Sequence, residues 1–92
     1  MSKYTIDFSN RYKSQHKKLS AQDAQKVDAV IKRLANDEIL EPKYSDHALK
    51  GNYVGFRECH IKPDLLLIYQ KQDEKLILYC FNVGTHSELF KK

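Results

Sequence analysis

The chain is poor in the residues that usually announce a cofactor or a covalent framework. Of 92 residues, two are cysteine, two proline and three glycine. Cys59 and Cys80 form no CxxC pair, and neither stands beside a histidine at metal-ligand spacing. Both fall in apolar, strand-like runs, where reduced and inert thiols are the expectation. There is no HxxxH chelate, no GxSxG elbow and no glycine-rich phosphate loop, so local signals for zinc, a serine hydrolase and a nucleotide cradle are all missing. No metal or cofactor is expected. Long apolar runs are absent too, and the opening "MSKYTIDFSNRYK" has no apolar leader segment. The reading is therefore a cytoplasmic protein with no membrane partner.

What is present suits one compact domain over residues 1–92. The apolar share is 41% and the charged share 30%, with six Tyr and four Phe to fill a core. Lys and Arg outnumber Asp and Glu by 16 to 12, for a formal charge of +4. That balance favours an anionic partner such as nucleic acid, although a well-solvated basic surface has the same composition.

Hydrophobic periodicity predicts the elements. Lys3 to Phe8 alternates as a short strand, with Tyr4, Ile6 and Phe8 on one side. Ser9 or Asn10 caps a short basic helix carrying Tyr12, His16 and Leu19 on one stripe, with His16 a partly buried structural residue. Ser20, with Asp23 three residues on, resembles a capping box. It opens a second helix whose stripe is Ala24, Val27, Val30, Ile31 and Leu34, ending near Asn36. The loop "EPKYSDHALKG" follows, then strands over Asn52 to Ile61, Leu65 to Lys71 and Lys75 to Val83 joined by short polar turns. In the last strand, alternation sets Tyr79, Phe81 and Val83 opposite Leu76, Leu78 and Cys80. The order β-α-α-β-β-β predicts an α+β fold, two N-terminal helices packed on one face of a small, mostly antiparallel four-stranded sheet.

The groups that titrate near neutral pH are concentrated after the helices. Alternation places Arg57, Cys59 and Ile61 on one strand face and Glu58, His60 and Lys62 on the other. If Cys59 and Ile61 pack under the helices, His60 faces the open side, and Asp64 across the next turn is within reach of it. His47 arrives in the incoming loop and His86 follows the "NVGTH" turn. Periodicity leaves open whether they converge; a capping His47 and a backbone-bonding His86 are the plainer readings. Imidazoles, a carboxylate, cations and aromatics together suit metal-free RNA cleavage. One group takes the ribose 2′-hydroxyl proton, another protonates the leaving 5′ oxygen, and cations hold the phosphate charge.

The stretch "DHALKGNYVGFRECHIKPDLLLIY", followed by "VGTHSELF", closely resembles the YafQ branch of the RelE/ParE toxin superfamily. The match spans roughly Tyr44 to Phe90 and fixes the pattern DHxLxGxxxGxRxxHxxPDxxLIY plus GTHxxLF. The resemblance implies a RelE-like fold and a bacterial type II toxin: an endoribonuclease (mRNA interferase) that cuts mRNA, often on the ribosome, and is restrained by a cognate antitoxin. Its catalytic positions would fall on His47, His60, Asp64, His86 and Phe90. His86 would then be the general acid, His47 or His60, tuned by Asp64, the base, and Phe90 a base-positioning wall. Relatives often carry Arg where this chain has Asn82, so Lys50, Arg57 or Lys62 would have to supply the phosphate-binding charge. Two other classes share the superfamily pattern: a non-catalytic, gyrase-binding toxin, and a co-repressor that acts only with its antitoxin.

Overall fold

A computed structural model of the chain describes residues 2–90. The elements in order are β1 (Thr5–Phe8), α1 (Asn10–His16), α2 (Ala21–Ala35), β2 (His47–Ala48), β3 (Arg57–Lys62), β4 (Leu65–Gln72), β5 (Ile77–Gly84) and α3 (His86–Leu89). Short 3-10 turns at Pro42–Tyr44 and Gly51–Tyr53 flank β2. No helix among the described residues is long and apolar enough to cross a membrane.

Both long helices begin where side-chain caps were expected. Ser9 and Ser20 accept the backbone N–H groups of Tyr12 and Asp23. The Asp23 carboxylate takes Lys62 Nζ at 2.9 Å, tying the first turn of α2 to the end of β3.

The sheet has five strands in the order β1-β5-β4-β3-β2, mixed because β1 runs parallel to β5 while the other neighbours are antiparallel. This corrects the expected four-stranded sheet. The added strand, β2, is only two residues long, His47 and Ala48 paired with Glu58 and Arg57. Two residues carry no readable alternation. The segment from Asn52 does not extend as expected: Gly51 and Gly55 adopt φ of +65° and +94°, turning the chain before β3 begins at Arg57. A third helix, α3, follows β5.

One face of the sheet is covered as predicted. Cys59, Leu67, Tyr69, Leu78 and Cys80 pack with Tyr12 of α1 and Val27, Val30, Ile31 and Leu34 of α2 in one apolar cluster. Burial pushes the Cys80 thiol up to about 12 and Cys59 higher still, so both remain unreactive. Val83 joins this cluster, contrary to simple alternation, because a bulge opposite Ile68 and Tyr69 adds one residue to β5. The opposite face carries a smaller cluster of Leu66, Ile68 and Leu89, flanked by Leu49, Phe56, Phe81 and Phe90.

Asp37, just past α2, joins three segments by accepting Lys71 Nζ of β4 and Lys3 Nζ ahead of β1, each at 2.9 Å. Lys71 and then Lys3 hold its carboxyl at about 2, below the usual 3.8. A carboxyl depressed on folding adds stability that is complete above its unfolded pKa and is lost as pH falls through the folded value. Melting temperature should therefore drop between pH 4 and 2 in the native chain, and Asp37→Asn should flatten part of that acid limb. Superimposable pH profiles would refute the assignment.

Candidate functional site

Two rows of side chains cross the sheet on the face away from α1 and α2. Glu58, Ile68 and Asn82 form one, and His60, Leu66 and Gly84 the other. Period-two alternation is the cause: burying Cys59 under the helices turns both Glu58 and His60 outward.

Glu58 is the residue that sequence reading left without a role. It is 5% exposed, yet its Oε1 lies 3.4 Å from His60 Nε2 and 3.6 Å from His47 Nε2. One buried carboxylate thus serves two imidazoles, in keeping with the rule that buried charge is paired. The signal was the shared face with His60; the pairing with His47 depends on β2. His47 is fixed from its other side by the Ser45 carbonyl, 2.6 Å from Nδ1. Its loop is anchored through Asp46, whose Oδ1 accepts the Tyr69 hydroxyl at 2.6 Å and Arg57 Nε at 3.2 Å.

His86 is the first residue of α3. Thr85 and Glu88 form a reciprocal capping box that fixes the turn, and Gly84 makes it possible. A Cβ on Gly84 would meet Glu88 Oε1 at 2.8 Å and Gln15 Nε2 at 3.1 Å. The His86 ring lies 5.8 Å, centre to centre, from that of His60. Asp64 does not meet His60 as anticipated. It stands at His86 instead, its Oδ1 3.5 Å from Nδ1 and accepting the backbone N–H at 3.3 Å. The turn after β3 carries Asp64 past His60 to the start of α3.

Phe90 completes the wall, 6.2 Å from the His86 ring and edge-on to Tyr53 at 5.6 Å. His47, His60, Asp64, His86 and Phe90 therefore line one end of the sheet, joined by Glu58. His16 is elsewhere, with Nε2 3.1 Å from Asp28. The three candidate cations diverge. Arg57 is held on Asp46 and Lys62 on Asp23, whereas Lys50 is exposed before the turn bearing Tyr53 and makes no ion pair among the described residues. Asn82 is buried, its Oδ1 accepting the Val83 N–H.

Glu58, His60 and His86 place three donor atoms within 4.8 Å of one another. Two imidazole nitrogens and a carboxylate oxygen suit zinc or copper in donor type, so the cluster fits a divalent ion.

Comparison with known proteins gives a consistent result. The family described as "Bacterial toxin of type II toxin-antitoxin system, YafQ" matches residues 3–91. The mRNA interferase toxin YafQ of Escherichia coli K12 is 35% identical over 89 residues, covering 92% of this chain and 94% of the relative. A metal-bound toxin from Helicobacter pylori superimposes with TM-score 0.84 at 39% identity, covering 95% and 99% of the two chains. The toxin in the E. coli DinJ-YafQ toxin-antitoxin complex gives TM-score 0.82 at 33% identity, covering 96% and 98%.

Titration with Zn²⁺, followed by imidazole NMR signals, should perturb His60 and His86 together. Exchange of either for alanine should weaken binding strongly. Zn²⁺ binding that survives both substitutions would place the ion elsewhere.

Proposed function

The chain belongs to the YafQ family of bacterial type II toxins, and from that premise we propose that it is an mRNA interferase, an endoribonuclease that halts translation by metal-independent acid–base cleavage. The observation carrying the mechanism is the His60 and His86 pair, two imidazoles 5.8 Å apart, each beside its own carboxylate. His60, held by buried Glu58, takes the 2′-hydroxyl proton. The 2′ oxygen attacks phosphorus as the bond from phosphorus to the 5′ oxygen breaks. His86, oriented by Asp64, passes a proton to that leaving oxygen. The products are a 2′,3′-cyclic phosphate and a 5′-hydroxyl end, so protons and bonds balance.

His47 shares Glu58 and braces the base. Phe90 and Tyr53 offer ring faces on which a splayed base can stack. Of Lys50, Arg57 and Lys62, Lys50 is the cation that pairs with no carboxylate among the described residues, leaving it available to phosphate. The ribosome presents the mRNA, and a cognate antitoxin restrains the chain; the E. coli complex of DinJ with YafQ supports an antitoxin partner by analogy.

A metal bound at Glu58, His60 and His86 would supply Lewis-acid chemistry, but it would also take nitrogen lone pairs that proton transfer needs. Added Zn²⁺ should therefore slow cleavage, and EDTA should leave it intact. A strict metal requirement would refute the metal-free assignment.

The direct test maps cut ends on a defined mRNA, with and without ribosomes. His86→Ala should lose about 10²- to 10⁴-fold in rate, the usual worth of a proton-transfer group. Folded, growth-arresting protein that makes no cuts in either condition would favour a binding toxin. Gly84→Ala should push Glu88 off the Thr85 N–H and displace His86, costing up to about 10²-fold in rate with the helical signal retained. Full activity in that variant would show that the α3 turn does not set the geometry.

A further inference from the structure

Beyond the imidazole cluster, the same end of the sheet opens into a cleft of about 700 Å³ lined by Asn10, Arg11, Ser14, Gln15, Lys18, Asn82 and Glu88. It exists because the edge of β5 changes cover partway along. β1 pairs with β5 only as far as Phe8 and Cys80; the chain then turns at Ser9, whose hydroxyl donates to the Phe81 carbonyl, and α1 takes over beside Asn82 to Gly84. Gln15 Nε2 donates to the Val83 carbonyl at 3.4 Å, which holds the helix there.

The lining is polar and cationic. Arg11 and Lys18 are exposed, and neither makes an ion pair among the described residues. The Arg11 guanidinium stands over the Phe81 ring, 5.7 Å from its centre, so it is positioned without being neutralised. The single acid, Glu88, is occupied by the Thr85 N–H at 2.9 Å. Asn82 lies on the same row as Glu58, two strands away, a separation of about 10 Å. Gly84, adjoining Gln15, ends the row that begins at His60.

We propose that this cleft, with Arg11 and Lys18 as its cations, is a docking groove for the phosphate backbone of single-stranded RNA flanking the scissile bond. It rests on the RNA-cleaving reading and deepens it by assigning the path of the strand: from the Lys50 and Tyr53 side, across His60 and His86, and out over α1. The guanidinium and ammonium groups engage phosphates that do not react, so their contribution is to binding and salt dependence. Neutral, exposed Asn10 and Ser14 can hydrogen-bond sugar or phosphate oxygens beside them.

The test compares Arg11→Gln/Lys18→Gln with Lys13→Gln/Lys17→Gln, which removes equal charge from Lys13 of α1 and the residue capping its end, both lining a separate pocket with Phe8 and Tyr12. With a defined mRNA, the cleft pair should raise KM about tenfold while kcat changes little. In a His86→Ala background, its RNA-binding affinity should lose about 1.4 from its slope against log salt, the signature of two phosphates on a single strand. The control pair should do neither. Unchanged KM and slope, equal losses in both pairs, or a fall confined to kcat would each overturn the groove. Lys18→Gln alone, at an exposed position beyond the helix, gives a second measurement should the Arg11 exchange disturb Phe81. A native chain that cuts no RNA would refute the nuclease reading, and binding in the His86→Ala background would still decide the groove.

Discussion

The molecule is organised by the requirement that the sheet bury one face completely. Cys59, Leu67, Leu78 and Cys80 are wholly enclosed beneath α1 and α2. Because strand side chains alternate, each inward residue commits its neighbour to the other face. Glu58 and His60 are turned outward by the burial of Cys59 between them. The functional cluster thus stands on a rigid support whose geometry is maintained by packing on the far side. The strands that build this larger core also carry Glu58 and His60 on their other face.

The outward face is only partly free. Leu66, Ile68, Leu89 and the flanking phenylalanines form a second apolar cluster, which holds α3 and the Leu49 to Phe56 loop against the sheet. That cluster sets the distance between the His60 and His86 imidazoles. His60 is on a strand and His86 on a helix that must fold back over it; Leu89 burial, the Thr85 and Glu88 cap and the close approach at Gly84 fix that return. Glu58 then matters in two ways. It is a buried carboxylate that needs partners, and its partners are imidazoles that need orientation.

Charge is divided along similar lines. Lys3 and Lys71 converge on Asp37, Arg33 on Glu38 and Glu41, Lys62 on Asp23, and Arg57 on Asp46. These pairs tie segments together and occupy those cations within the fold. Among the cations that make no ion pair in the described residues, Lys50 stands on one side of the imidazole cluster and Arg11 and Lys18 on the other.

The two N-terminal helices, the strands β1, β4 and β5, the outward face of His60 and the family pattern were legible in the sequence, because they follow from local caps, period-two alternation and fixed spacing. It did not determine β2, whose two residues are too few for periodicity, nor the five-stranded order. Nor did it anticipate the bulge that moves Val83 into the core and leaves Asn82 beside the cleft. Asp64 illustrates the division. It lies four residues after His60 in the chain, yet it serves His86, twenty-two residues away. Only the tertiary structure decided that, because the turn after β3 and the cap of α3 meet through the packing of β3, β4 and β5, and contacts between distant segments leave no trace in the spacing of either one.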